Sequence, residues 1–219
     1  ISHRLKTDRL WCSSVDIQGP LGTASLLWKE DDFMVSMIEE PEKVHHLLEI
    51  VTQGIIDIIR TTINLLQGMY AGPSWPSIWL PADIGVGISE DFMPLLSPDL
   101  YREFGLPYVE RLSEEFGGLY IHCCGSYEHQ LENLKNSKAF IKGIEFHYPY
   151  VKPEEVFGAL GSQTLYVPYL SPIDRKKGDY LEFIKTLVQN SPDNIRFWFI
   201  LYHDQEDFSE QVKFVESLL

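Results

Sequence analysis

The sequence predicts an α/β protein built on a parallel sheet, and two observations carry that reading. Short apolar segments alternate with longer amphipathic ones in six successive strand-then-helix units, a rhythm that parallel sheets with crossover helices produce. Within the apolar segments, polar side chains collect near the carboxyl ends, where barrels and open α/β sheets keep their sites. Such a sheet is either rolled into a barrel or left open.

Taken in order, residues 10–18 form the first strand, with Ser14, Asp16 and Gln18 alternating against Val15 and Ile17. Residues 42–67 carry apolar positions at helical spacing, and the Gly- and Pro-containing stretch 68–76 is a connector. A second strand, 77–83, ends on Asp83. The helix at 98–116 opens on Ser97-Pro98-Asp99, which places proline in the first turn and a carboxylate at the positive end of the helix dipole. Strand 119–124 and helix 127–135 follow. In strand 140–147, Gly143, Glu145 and His147 alternate with Ile144 and Phe146. Helix 153–160 starts on Lys152-Pro153-Glu154, and strand 164–170, helix 179–189, strand 195–203 and helix 209–218 complete the pattern. The last strand ends on His203, followed by Asp204. No composition shift marks a linker, so residues 1–219 read as one domain.

The charge balance narrows the partners. Eighteen basic residues against 32 acidic give a net charge of −14, which opposes a nucleic-acid or anionic-membrane surface. The three cysteines, two of them adjacent, cannot build a disulfide framework, which points to a reducing cytoplasmic setting. No apolar run reaches the about 18–20 residues that span a bilayer, and no signal peptide is visible. The chain opens on Ile and not on Met, as expected of a fragment or a processed product.

The stretch GGLYIHCCGS, 117–126, carries the most chemistry. In an extended strand His122 and Cys124 share a face, and Cys123 points the other way. An imidazole beside a thiolate at a strand's carboxyl end suits Zn²⁺, a borderline ion that accepts N and S ligands. Against this stands the plain alternative that a buried free cysteine is ordinary core filling.

Several segments together are similar to the uroporphyrinogen decarboxylase superfamily, which includes the zinc-dependent methylcobamide:coenzyme M methyltransferases. They are DIQGPLGTASLLW (16–28), MIEEPEKVHHLLEIVT (37–52), DFMPLLSPDLYREFGLPYVERL (91–112), IHCCGS (121–126) and GIEFHY (143–148). The resemblance implies a (β/α)₈ TIM-type barrel of which this chain holds strands three to eight, the first two lying upstream. It implies zinc on His122 and Cys124, with His203 standing where the methyltransferases place a last-strand cysteine. It further implies a small thiol substrate, methylated from a corrinoid carried by a separate protein. Glu145, His147 and Asp83 are the candidate catalytic residues, the first two as a further zinc ligand or a nearby base. Porphyrinogen decarboxylation is the alternative activity, and a degenerate ligand-binding barrel the non-enzymatic one. A barrel lacking two strands exposes the edges 10–18 and 195–203, so either another chain, such as a second copy, is expected to cover them or the full-length protein is the functional form.

Overall fold

The computed structural model describes Cys12 and residues 16–66, 68–70, 82–170, 179–201 and 208–218. Three helices come first: α1 Pro20–Trp28, α2 Glu30–Glu39 and the long α3 Pro41–Leu66. Five strands follow, each but the last separated from the next by helix: β1 Val86–Ser89, β2 Leu119–His122, β3 Ile141–Tyr148, β4 Leu165–Leu170 and β5 Arg196–Phe197. Helices α4 Pro98–Phe104 and α5 Leu106–Phe116 lie between β1 and β2, and α6 Leu131–Asn136 between β2 and β3. Helix α7 Pro153–Leu160 precedes β4, α8 Asp179–Asn190 precedes β5, and α9 Phe208–Glu216 follows it. All five strands run parallel and stand in sequence order in one sheet. The expected α/β class and parallel order are therefore present.

Of the expected strand 10–18, residues 10, 11 and 13–15 lie outside the described residues, and the rest pairs through isolated bridges. Cys12 bridges Tyr70, and Gln18 bridges Ser89, with the Ile17 carbonyl accepting from the Ser89 amide at 2.9 Å. That pairing lays residues 16–19 along the free side of β1. Of the expected strand 77–83, only residues 82 and 83 are among the described residues. Residues 71–81 lie outside the described residues, and the strand here is β1, which starts three residues after Asp83. Asp83 sits in a single 3₁₀ turn, Ala82–Ile84. Just before β1 the backbone comes close to the residue that precedes β2. Gly85 has φ +98, and a Cβ there would lie 2.1 Å from the Gly118 carbonyl oxygen. Only glycine tolerates both, and Gly85→Ala is expected to cost about 2–3 kcal/mol, read as a lower urea midpoint.

Two helices, α1 and α2, stand where the sequence pattern marks none. Proline at the start of α1 suits its first turn, but the helix is apolar nearly all round, with Leu26 and Leu27 exposed. The expected single helix 98–116 is two. Gly105 caps α4, and Pro107, which has no amide hydrogen, forces a new start in the first turn of α5. Ser97 caps α4 as its position requires, its hydroxyl accepting from the Leu100 amide.

One face of the sheet packs on the helices. Val86, Ile88, Leu119, Ile121, Cys123, Ile144, Phe146 and Tyr166 share a single core with helix residues such as Val109, Leu112, Leu134 and Val156. The other, inner face has its own small cluster of Ile84, Tyr120 and Val167, edged by Leu165, Trp198 and Ile200. A register shift between Leu119 and Tyr120 against β3 settles the phase of the strands. Leu119 pairs with Ile141 on the helix face, whereas Tyr120 pairs with Gly143 on the inner face. From there Gly143, Glu145 and His147 all face inward. Among the described residues, no helix is long and apolar enough to cross a membrane.

Candidate metal centre

Strand register assembles the site. Ser89 on β1 pairs with His122 on β2, and Glu145 and His147 on β3 pair with Val167 and Tyr169 on β4. These positions share the inner face at the carboxyl ends of adjacent strands, as the alternation of polar and apolar residues anticipates. His122, Glu145 and His147 are buried, Glu145 completely.

Glu145 is the hub. Its Oε1 lies 2.5 Å from His147 Nε2 and 3.1 Å from His122 Nδ1. Its Oε2 accepts a hydrogen bond from the Tyr120 hydroxyl at 3.1 Å, and its backbone carbonyl accepts from the Tyr127 hydroxyl at 2.9 Å. Burial alone would push this carboxyl up. Hydrogen bonds and charge from His122 and His147 outweigh it and hold Glu145 below the usual carboxylate range. Tyr169 stacks on the His147 ring, centroids 4.4 Å apart, and fixes its tilt.

Beyond His122 stands a residue that the sequence pattern does not mark, Asp91. It follows β1 in a turn, lies 3.7 Å from His122 Nε2 through Oδ1, and accepts the Cys124 amide at 3.0 Å. Ligand atoms of Asp91, His122 and Cys124 all lie within 4.8 Å of one another, as do those of His122, Glu145 and His147. The first set offers a carboxylate oxygen, an imidazole nitrogen and a sulfur, a donor mix that zinc accepts. In the metal-free state burial, followed by the hydrogen bond and charge of Asp91, pushes the Cys124 thiol up to about 11. Cys123 is fully buried in the helix-side core, as its alternation with Cys124 requires.

The expected site residues divide accordingly. His122, Cys124, Glu145 and His147 gather in one place. Asp83 does not: it is exposed at the amino end of the sheet, where its carbonyl accepts from Lys142 Nζ at 2.7 Å. The strand expected to carry it inward begins after it, so Asp83 is corrected to a surface residue. His203 lies outside the described residues. On the wall beside His122, the Ser89 hydroxyl donates to Asp16 Oδ1 at 2.8 Å.

Behind Asp91, Glu90 turns to the helix side and is almost wholly buried. Tyr101 donates to its Oε2 at 3.3 Å, while its Oε1 has no hydrogen-bond partner among the described residues. The carboxyl fits because Gly19 has no side chain; a Cβ there would stand 1.6 Å from Oε1.

No protein-family model matches the chain, and no curated protein matches it. Among solved structures the fold is similar to that of a methyltransferase from Methanosarcina mazei, with a TM-score of 0.68 at 17% sequence identity. The match covers 100% of this chain and 60% of that one, so the chain spans less than two thirds of the methyltransferase's length. At this identity the likeness speaks for the fold alone, a parallel α/β architecture.

Proposed function

We propose that the chain is the zinc-binding part of a TIM-type barrel methyltransferase of the uroporphyrinogen decarboxylase superfamily, acting on a small thiol. The observation that carries the reading is the convergence of Asp91, His122 and Cys124 donor atoms within 4.8 Å at the carboxyl ends of parallel strands. The resemblance in fold to a methyltransferase supports the same direction.

In this reading His122 and Cys124 hold zinc, with Asp91 as the third protein donor. Zinc supplies Lewis acidity that lowers the pKa of a bound thiol, so that sulfur is available as thiolate at neutral pH. Glu145 or His147, which face each other beside His122, would serve as the nearby base for the thiol proton. Burial of His122, Glu145 and His147 keeps water off the inner face and leaves the electrostatics of this group little screened. The methyl group arrives from outside the chain, on a corrinoid carried by a partner protein.

The test is the metal content of freshly purified protein, with no metal added, followed by thiol methylation from a methylated corrinoid protein. Stoichiometric zinc and methylation lost on chelation are expected. Protein that is metal-free and takes up no zinc on titration defeats the proposal and leaves the degenerate barrel.

A further inference from the structure

Helix α3 carries two apolar rows. One is buried and runs from Val44 to Ile59. The other lies on an outer flank, where Leu47, Ile50, Gly54, Ile58, Thr61 and Leu65 recur at spacings of three and four residues. At about 100° per residue, all of them fall within about 40° of a line through Gly54. Ile50, Ile58 and Leu65 are each more than half exposed among the described residues. None of this row is charged, in a chain whose net charge is −14. The opposite flank of α3 is tied to α5, through Arg60 to Glu115 and Glu49 to Arg111.

The outer row is symmetric about Gly54. Ile50 and Ile58 stand four residues to either side, Leu47 and Thr61 seven, and Lys43 and Leu65 eleven. At the carboxyl end Leu65 projects, 74% exposed. At the amino end a hollow of about 740 Å³ opens, lined by Leu27 and Trp28 of α1 and by Lys43, Leu47 and Ile50 of α3. A knob and a hollow equally far from one point are brought together by a two-fold axis through that point. Gly54 suits such an axis. A glycine in mid-helix weakens the helix, and a Cβ here would meet nothing within 4 Å, so the packing of the chain itself does not call for it. Close approach of a second backbone does.

We propose that α3 pairs antiparallel with α3 of a second copy of this chain, crossing at Gly54, with Leu65 of each copy entering the hollow beside Trp28 of the other. The surface lies apart from the metal centre, and the inference does not rest on the zinc reading. Ile50 and Ile58 lie about 40° to opposite sides of the Gly54 line, so across the axis they interleave instead of colliding. Charge agrees with this direction. The last turn of α3 has no basic residue, and the pairing brings Lys43 of the other copy to it, a cation at the negative end of the helix dipole. The face is about 39 Å long and is widened by α1 at both ends. That is of the order needed for the about 1,000 Å² in total of a specific interface, which sets the expected affinity in the micromolar range.

The experiment is sedimentation equilibrium over a range of protein and salt concentrations, with Ile58→Glu and Gly54→Lys beside the wild type and circular dichroism to follow the fold. The wild type is expected to dimerise, and more tightly at high salt, because two chains of charge −14 repel. Ile58→Glu enters each dimer twice and should weaken association by about 100-fold or more. Gly54→Lys improves helix propensity, so its monomer folds at least as well, yet it sets two ammonium groups on the axis and should stay monomeric. Mixing tests the symmetry. Ile50→Lys/Ile58→Lys and Ile50→Glu/Ile58→Glu are each expected to be monomeric alone and to form a one-to-one dimer together, since position 50 of one copy meets position 58 of the other. A mixture of folded double variants that does not pair overturns the two-fold register. A wild type that is monomeric throughout overturns the pairing and leaves the row to another occupant, such as further residues of a longer chain. A dimer that survives Gly54→Lys and Ile58→Glu overturns it as well, because the copies then meet elsewhere. Gly54→Lys decides the point if the double variants do not fold.

Discussion

Cys124→Ser is expected to empty the site of zinc and abolish thiol methylation, while Cys123→Ser leaves both intact. Adjacent in sequence, the two thiols stand on opposite faces of the strand end, Cys124 beside His122 and Asp91 and Cys123 in the helix-side core. A serine hydroxyl stays protonated near neutral pH and binds zinc far more weakly than thiolate does, so zinc should be lost from the site. Cys123→Ser instead buries a hydroxyl in an apolar core, at about 1–3 kcal/mol of stability. The pH dependence separates the two further. The Cys124 thiol, pushed up to about 11 in the metal-free state, is protonated at neutral pH, and zinc must displace that proton. Its contribution makes apparent zinc affinity rise about tenfold per pH unit through the neutral range, and Cys124→Ser removes that share of the slope. Metal analysis of the three proteins, with chelator competition across the neutral range, reads both effects. Equal zinc in all three defeats the metal site.

The pairings within single strands are legible in the sequence alone. Period-2 alternation places His122 with Cys124, and Glu145 with His147, because side-chain direction along a strand is a local property. What joins the two pairs is the register of β2 against β3, and that depends on the shift at Leu119 and Tyr120, for which the sequence carries no local signal. Asp91 escapes a reading by pattern for a related reason. It follows β1, whose Val-Gly-Ile-Ser has two residues that pack in a sheet and a glycine that weakens it, so neither the strand nor the turn after it stands out. Asp83, expected at the inward end of a strand, sits in a 3₁₀ turn three residues before β1, and the fold leaves it on the surface. Helix α1 hides from a periodicity reading because it lacks a polar stripe, its outward Leu26 and Leu27 being as apolar as its buried face. The long α3 is the opposite case: its regular buried row from Val44 to Ile59 marks the helix to within one residue at each end.

In zinc-free protein, stability is expected to fall by about 4 kcal/mol as pH rises from about 4.5 to about 8, through Glu90, and Glu90→Gln should remove that fall. Burial pushes the Glu90 carboxyl from 4.5 up to about 8; the Tyr101 hydrogen bond works against the rise and the neighbouring Asp91 charge adds to it. The sign follows from the raised folded-state value. Below the unfolded pKa, both states carry the proton and the fold keeps its full stability. Between the two values the unfolded chain ionises freely while the folded one must stay neutral, so each pH step favours unfolding. Above about 8 the folded carboxyl ionises too, and the penalty levels off with a charge held on a carboxylate whose Oε1 has no partner among the described residues. Glutamine keeps the shape that Gly19 makes room for and can still accept from Tyr101, but it cannot ionise. Other groups titrate over the same range in both proteins, so the difference between wild type and Glu90→Gln in urea midpoints isolates this carboxyl. Parallel pH trends for the two would mean that Glu90 ionises as readily in the folded chain as in the unfolded one, and would defeat the prediction.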